Sequence, residues 1–299
     1  MGRADGRELP RKRSAGYGMT RRLSPVVISM MVFGFAFLYG PIVSLIVYSF
    51  NESKLVTVWG GFSTKWYGEL LQNDQILEAA FLSLKIALMT GGIAVVFGTL
   101  AGMALARYGS FRGRTFFTSL VTGPLVMPDV IIGISLLLMF VSTQQWFGWP
   151  QGRGVDTITI AHATFCMAYV TVIVQSRMSS LDGSIEEAAL DLGARPAKVF
   201  FTITLPIIAP ACIAGFLLSF TLSLDDLVIA SFVSGPGSST LPMVVFSKVR
   251  LGVSPQINAL ATIIVAIVTV AVIIAGILMH RQEKRRQADI QQALQQAGY

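Results

Sequence analysis

The stretch "SIEEAALDLGARPAKVFFTITLP", Ser184 to Pro206, carries five of the thirty-nine formally charged side chains of this 299-residue chain and lies between two long apolar runs. Its punctuation predicts a short helical hairpin. Ser184 with Glu187 three residues on has the form of a capping box, which marks a helix start. Ile185, Ala188, Ala189 and Leu192 fall at i, i+3, i+4 and i+7 and share one face, with Glu186, Glu187 and Asp191 elsewhere on the surface. Acids in the first turn also suit the helix dipole. Gly193 ends the helix, because a left-handed C-terminal cap is comfortable for glycine. Pro196 can open a second helix, where its missing N–H is harmless, and that helix leads through Phe200 and Phe201 to Leu205 and Pro206. A two-turn amphipathic helix, a tight corner and a link into an apolar run together make a lever suited to a cytosolic partner. The alternative is an interfacial helix resting on lipid. Against that, two alanines offer little apolar area, no aromatic residue anchors the face, and the nearby acids would be repelled by anionic lipid.

The flanking runs decide the setting of that hairpin. Hydrophobic residues make up 53% of the chain and charged ones only 13%, about half the share usual in a soluble domain. A mean hydropathy of +0.66 points the same way. A crossing needs about 20 apolar residues. Six runs qualify: Pro25–Phe50, Ala79–Ala106, Phe116–Ser142, Thr157–Ser176, Ile207–Val233 and Ile257–Met279. The reading is an all-α, six-span, multi-pass membrane protein. The first run is too long and too late to be a cleaved signal peptide. Residues 1–22 form a basic tail expected to be disordered, 23–281 the six-span domain with a loop at about 177–206, and 282–299 a C-terminal tail.

Lysine and arginine set the orientation. Seventeen lie in the two tails and the second and fourth connections, against five in the other connections, so both termini and the opening hairpin are expected on the cytoplasmic side. The net charge of +7 is then a topology signal. The basic residues flank spans and do not form one patch, which argues against a nucleic-acid partner. Cys166 and Cys212 lie within spans and read as packing residues; His162 and His280 are too far apart to suggest a metal site. On the outer side, "TKWYGELL" from Thr64 suggests a short helix with Thr64 as N-cap and Trp66 and Tyr67 at the membrane interface. "MVVFSKVRLG" from Met243 suggests an interfacial or partly inserted helix. Both segments are equally readable as surface structure or as a docking face for an external partner.

Three acids fall inside the expected spans: Asp129, Asp225 and Asp226. Each costs about 2.5–3.5 kcal/mol at a helix centre, so such residues face a protein interior or a water-filled path. Carboxylates in a path suit a cationic cargo. The alternatives are internal: Lys85 could neutralise one of them, and Asp225 or Asp226 could cap a broken helix. Adjacent residues point about 100° apart on a helix, so Asp225 and Asp226 are not expected to line one path together; Asp226 is taken first.

The segment "EAALDLGARPAKVFFTITLP" resembles the EAA signature of ABC-importer permeases, with Glu187, Ala188, Ala189, Gly193, Ile203, Leu205 and Pro206 at the motif positions. "SLDDLVIASFVSGPGSSTLPMVVFSKVRLGVSPQINALAT", from Ser223 to Thr262, and "GPLVMPDVIIGISLLL", from Gly123, are similar to the spermidine/putrescine permeases, within them most similar to the putrescine-type second permease. The resemblance covers about Met19 to Arg281. It implies a type I importer in the bacterial inner membrane: two permeases, here a paralogous pair, two ATPase subunits below, and a periplasmic polyamine-binding protein. Glu187, Ala188, Ala189, Gly193, Arg195, Leu205 and Pro206 would then couple the chain to its ATPase, and Asp226, Asp225 and Asp129 would meet the substrate. A Walker A loop needs Gly-Lys-Ser/Thr, yet none of the seven lysines precedes Ser or Thr. No cofactor is therefore expected on this chain, and ATP and Mg²⁺ belong to a partner. Two other readings stay open: an ABC permease for another small solute, and an ion-coupled secondary transporter of organic cations. The latter would more often show paired inverted repeats with Gly/Pro-broken spans, and no such pairing is evident.

Overall fold

The computed structural model describes residues 24–55, 58–252 and 254–296. The expected disorder of residues 1–22 lies outside the described residues. Hydrocarbon offers no partner to a free N–H or C=O, so apolar runs satisfy their backbone internally as helices. In chain order these are α1 (Pro25–Ser49), α2 (Lys65–Leu71), α3 (Asp74–Arg107), α4 (Arg114–Thr122), α5 (Asp129–Phe147), α6 (Val155–Ser179), α7 (Ser184–Asp191), α8 (Pro196–Val199), α9 (Leu205–Asp225), α10 (Val228–Val233), α11 (Leu241–Leu251) and α12 (Pro255–Gln296). Among the described residues five are long and apolar enough to cross a membrane: α1, α3, α5, α6 and the continuous helix Pro196–Asp225. The sixth expected run lies in α12, whose described apolar part is Pro255–Val270.

α3, α6 and α9 pack together as the core. α6 is buried on nearly every side, through Ile158, Ala161, Cys166, Val170, Val174 and Met178, as a helix apolar all round must be. Gly98 and Gly102 let α3 approach it closely. A Cβ on Gly98 would stand 2.6 Å from Val170 Cβ, and one on Gly102 3.0 Å from the Thr171 carbonyl. This is the small-xxx-small contact by which helices associate without a hydrophobic drive between them. α1 packs along α12 and is exposed over most of its length, its last turn being tied to α2 where the Ser49 and Tyr67 hydroxyls meet at 2.7 Å.

Two expected spans are interrupted. Phe116–Ser142 is not one helix: α4 ends, a 3₁₀ turn spans Gly123–Leu125, and α5 restarts at Asp129. Pro124 and Pro128 lack the N–H groups a continuous helix would use. Ile207–Val233 breaks as well. α9 stops at Asp225, Asp226 is extended (φ −66°, ψ 126°), and α10 follows. In the connection after α1, Trp66 is not an interface residue: it is buried, and its Nε1 donates to the Asn51 carbonyl at 2.6 Å. Thr64 precedes α2 without a side-chain cap bond.

Candidate functional site

The hairpin forms largely as its punctuation dictates. Gly193 takes φ +83°. Its N–H bonds to the Leu190 carbonyl and that of Ala194 to the Ala189 carbonyl, the two bonds of a Schellman cap. Arg195 is extended and exposed, and Pro196 opens α8. Past α8 the helix widens into a π turn over Phe200–Thr204, with the Leu205 N–H reaching back to Phe200. Pro206 explains it: its ring would clash with the Thr202 carbonyl in a regular helix, and it has no N–H to offer there.

The capping box does not form. Ser184 is the first helical residue, behind Gly183. The Ser184 N–H is accepted instead by Asp182 Oδ1 at 3.0 Å. That bond, with the Ser184 hydroxyl and the charge of Arg107 adding to it, holds the exposed Asp182 carboxyl below its ordinary range. Glu187 is exposed and makes no reciprocal contact. Glu186, expected on the surface, turns inward instead. Its Oε2 lies 3.1 Å from Arg107 Nε at the end of α3, and its Oε1 accepts from Thr204 Oγ1 at 2.7 Å. The Arg107 Nε–H is not aimed well enough for a hydrogen bond, so that contact is a charge pair. Arg107 Nη1 also donates to the Leu181 carbonyl, just past α6, at 3.5 Å. The opposite side of α7 carries Ile185, Ala188 and Leu192, all exposed, Leu192 at 90%. Ala189 is half-buried, and Leu205 and Pro206 begin α9.

The three acids lie at the two breaks. Asp226 accepts from the backbone of Ile229 (3.3 Å) and Ala230 (2.8 Å), capping α10. Its Oδ2 is also 3.1 Å from Nε2 of the fully buried His162. As a carboxylate Asp226 can only accept, so Nε2 carries a proton. His162 Nδ1 meets Ser223 Oγ at 2.8 Å. Asp226 thus closes a break between α6, α9 and α10, about 10 Å along α6 from its N-terminal end. Asp225 ends α9 with its side chain exposed, and Asp129 begins α5, also exposed. Lys85 pairs with none of the three among the described residues. α5 packs along α10, and a Cβ on Gly133 would stand 2.5 Å from the Phe232 ring. Asp129 lies one turn before Gly133 and Asp226 just ahead of α10, so the breaks put the acids at the bases of two neighbouring helices.

Residue patterns alone missed Arg107, Thr204, His162 and Ser223. The available signals were a cation ending span two, and a histidine in an apolar span opposite an acid in another. Glu186 was visible only as a neighbour of the motif.

A family model described as "Binding-protein-dependent transport system inner membrane component" matches residues 94–288. The chain is 59% identical over 270 residues to the putrescine transport system permease protein PotI of Escherichia coli (strain K12), covering 90% of this chain and 96% of that one. It is 41% identical to the spermidine/putrescine transport system permease protein PotC of the same strain, covering 86% and 94%. Its fold matches a chain of a bacterial ABC transporter involved in the import of the acidic polysaccharide alginate, with a TM-score of 0.65 at 18% identity over 84% of this chain and 93% of that one. Two interrupted spans would by themselves have suited an ion-coupled transporter, but these likenesses extend along almost the whole chain. It is a member of the family of binding-protein-dependent transport system inner membrane components, in the company of the polyamine permeases PotI and PotC.

Proposed function

We propose that this chain is one of two paralogous permeases of an ATP-driven polyamine importer in a bacterial inner membrane, with putrescine as first substrate and spermidine as second. It crosses the membrane six times with both termini in the cytoplasm. It hydrolyses nothing itself. ATP and Mg²⁺ bind two ATPase subunits beneath the permease pair, and a periplasmic polyamine-binding protein delivers the cargo. The observation that carries this reading is the two-sided α7. Its outer face leaves Ile185, Ala188 and Leu192 exposed on a rigid, glycine-capped helix, while its inner face is tied to α3 and α9. Such a helix is suited to receive motion from a docked ATPase. The polyamine follows from the names of the relatives and agrees with the exposed carboxylates at the breaks.

Closure of the ATPase dimer would draw the two coupling helices together and turn the spans outward; hydrolysis would return them. Within the path, Asp225 and Asp129 are the acids that meet the ammonium groups, since Asp226 is engaged by His162 and the α10 backbone. The test is uptake of labelled putrescine into proteoliposomes holding the full complex and the binding protein. Vanadate-sensitive uptake that needs ATP is the expected result, and Asp225→Asn should lower it with assembly intact. Uptake driven by an ion gradient without ATP would overturn the reading. ATP-driven uptake of a different solute, with none of putrescine, would overturn the substrate alone.

A further inference from the structure

The exposed motif residues account for contact with a partner but not for how its motion enters the membrane. The only charged group on the inner side of α7 is Glu186, one residue outside the family signature. Each of its two carboxylate oxygens holds a different span. Oε2 pairs with Arg107, the last residue of α3, and Oε1 takes the hydroxyl of Thr204, in the π turn that opens α9. Arg107 adds a bond to the Leu181 carbonyl, at the foot of α6. Two of the core helices therefore meet on one carboxylate, and the third is joined to it through Arg107.

We infer that Glu186, through Arg107 and Thr204, is the positioning residue that transmits displacement of α7 to the core spans. The inference rests on α7 being the coupling helix. Three features fit transmission better than simple fastening. Arg107 and Glu186 are about a quarter exposed, so the pair can be made and broken at little cost, unlike a fully buried one. A cavity of about 180 Å³ beside it, lined by Met103, Met178, Leu190, Val199 and Phe200, leaves α7 room to rock. Thr204 sits in a π turn, an irregularity found frequently at functional sites within helices.

The test uses the assembled complex and reads putrescine taken up per ATP hydrolysed. Glu186→Gln and Arg107→Gln should each lower that ratio about tenfold, a coupling change of the usual allosteric size, while binding-protein-stimulated hydrolysis persists. The exchange Glu186→Arg with Arg107→Glu should recover most of the loss. Thr204→Val keeps shape and burial but drops the hydroxyl and should lower the ratio too, whereas Thr204→Ser should not. If the Gln variants assemble poorly, the Thr204 pair decides the matter. A normal ratio in Thr204→Val, or uptake and hydrolysis falling in proportion across the series, would overturn the inference. Absence of ATP-driven uptake in the unmodified complex would instead strike the proposed function.

Discussion

The two ends of α9 are fixed by the same kind of chemistry in opposite surroundings. In the proposed topology the end of α9 at Asp226 is the outer one and the end at Thr204 the inner one. At the outer end Asp226 is held by the fully buried His162 and by two backbone N–H groups of α10. At the inner end Thr204 is held by Glu186, which shares its charge with a partly exposed Arg107. A buried pair is costly to break because one uncompensated polar group is left behind; a wet pair is cheap to break because water replaces the partner. The outer end is therefore built to keep its shape and the inner end to change it.

The largest effect should come from breaking the outer end. Asp226→Ala removes the cap of α10 and strands His162, and should destabilise by about 2–4 kcal/mol, about 1 for the cap and about 1–3 for the unsatisfied ring N–H. Asp226→Asn should cost less than half of that, because its amide oxygen still accepts the Ala230 N–H. Thermal unfolding of the detergent-solubilised complex measures both. Equal losses would mean that charge, not shape, holds this end.

Next comes the packing between the two ends. Gly98→Leu drives a side chain into Val170 and should cost about 1–3 kcal/mol as overpacking. Uptake per ATP should be unaltered in whatever fraction folds, since neither end of α9 is touched. A lowered ratio would show that coupling is spread through the core and not gathered at Glu186.

A smaller, local effect is expected at Gly193. Gly193→Val places a β-branched residue at φ +83° and should cost about 1–2 kcal/mol, confined to the α7 cap. Faster amide exchange at Gly193 and Ala194 would register it, while Gly193→Asn, which tolerates that region, should stay close to the parent. Loss of protection along α9 as well would break the distinction between a mobile inner end and a fixed frame.

The smallest effect concerns Asp182. Its carboxyl is held below the ordinary value of 3.8, so what it gives α7 is present in full above that value and is lost as pH falls through the lowered one. Protection of the first turn of α7 should therefore be level from neutral pH to about 4 and drop below it. Asp182→Ala should lack that protection throughout. A drop centred near neutral pH would point to another group.

Local rules were enough for the hairpin. Gly193 and Pro196 act on their own backbone, so their effect is written in a few neighbouring residues. The apolar runs were legible for a similar reason: length and hydropathy are sums over one segment, and α1, α3 and α6 match them closely. The capping box failed by a single residue, because Asp182 takes the Ser184 N–H that the Glu187 side chain was expected to accept. The interruption of span three had local signs in Pro124 and Pro128, but its side chains stay apolar through the break, and hydropathy reads straight across it.

Sequence alone settled that this chain crosses a membrane, where it turns in the hairpin from Ser184 to Pro206, and which residue types stand there. Each of these follows from forces acting within one segment of the chain. Only the tertiary structure decided that Glu186 faces inward while Glu187 faces out, that Asp226 belongs to His162, and that span five ends at Asp225. Arg107 and Glu186 are seventy-nine positions apart, and His162 and Asp226 sixty-four. The register that joins each pair is set by how α3, α6 and α9 close on the glycines between them, which no single segment records.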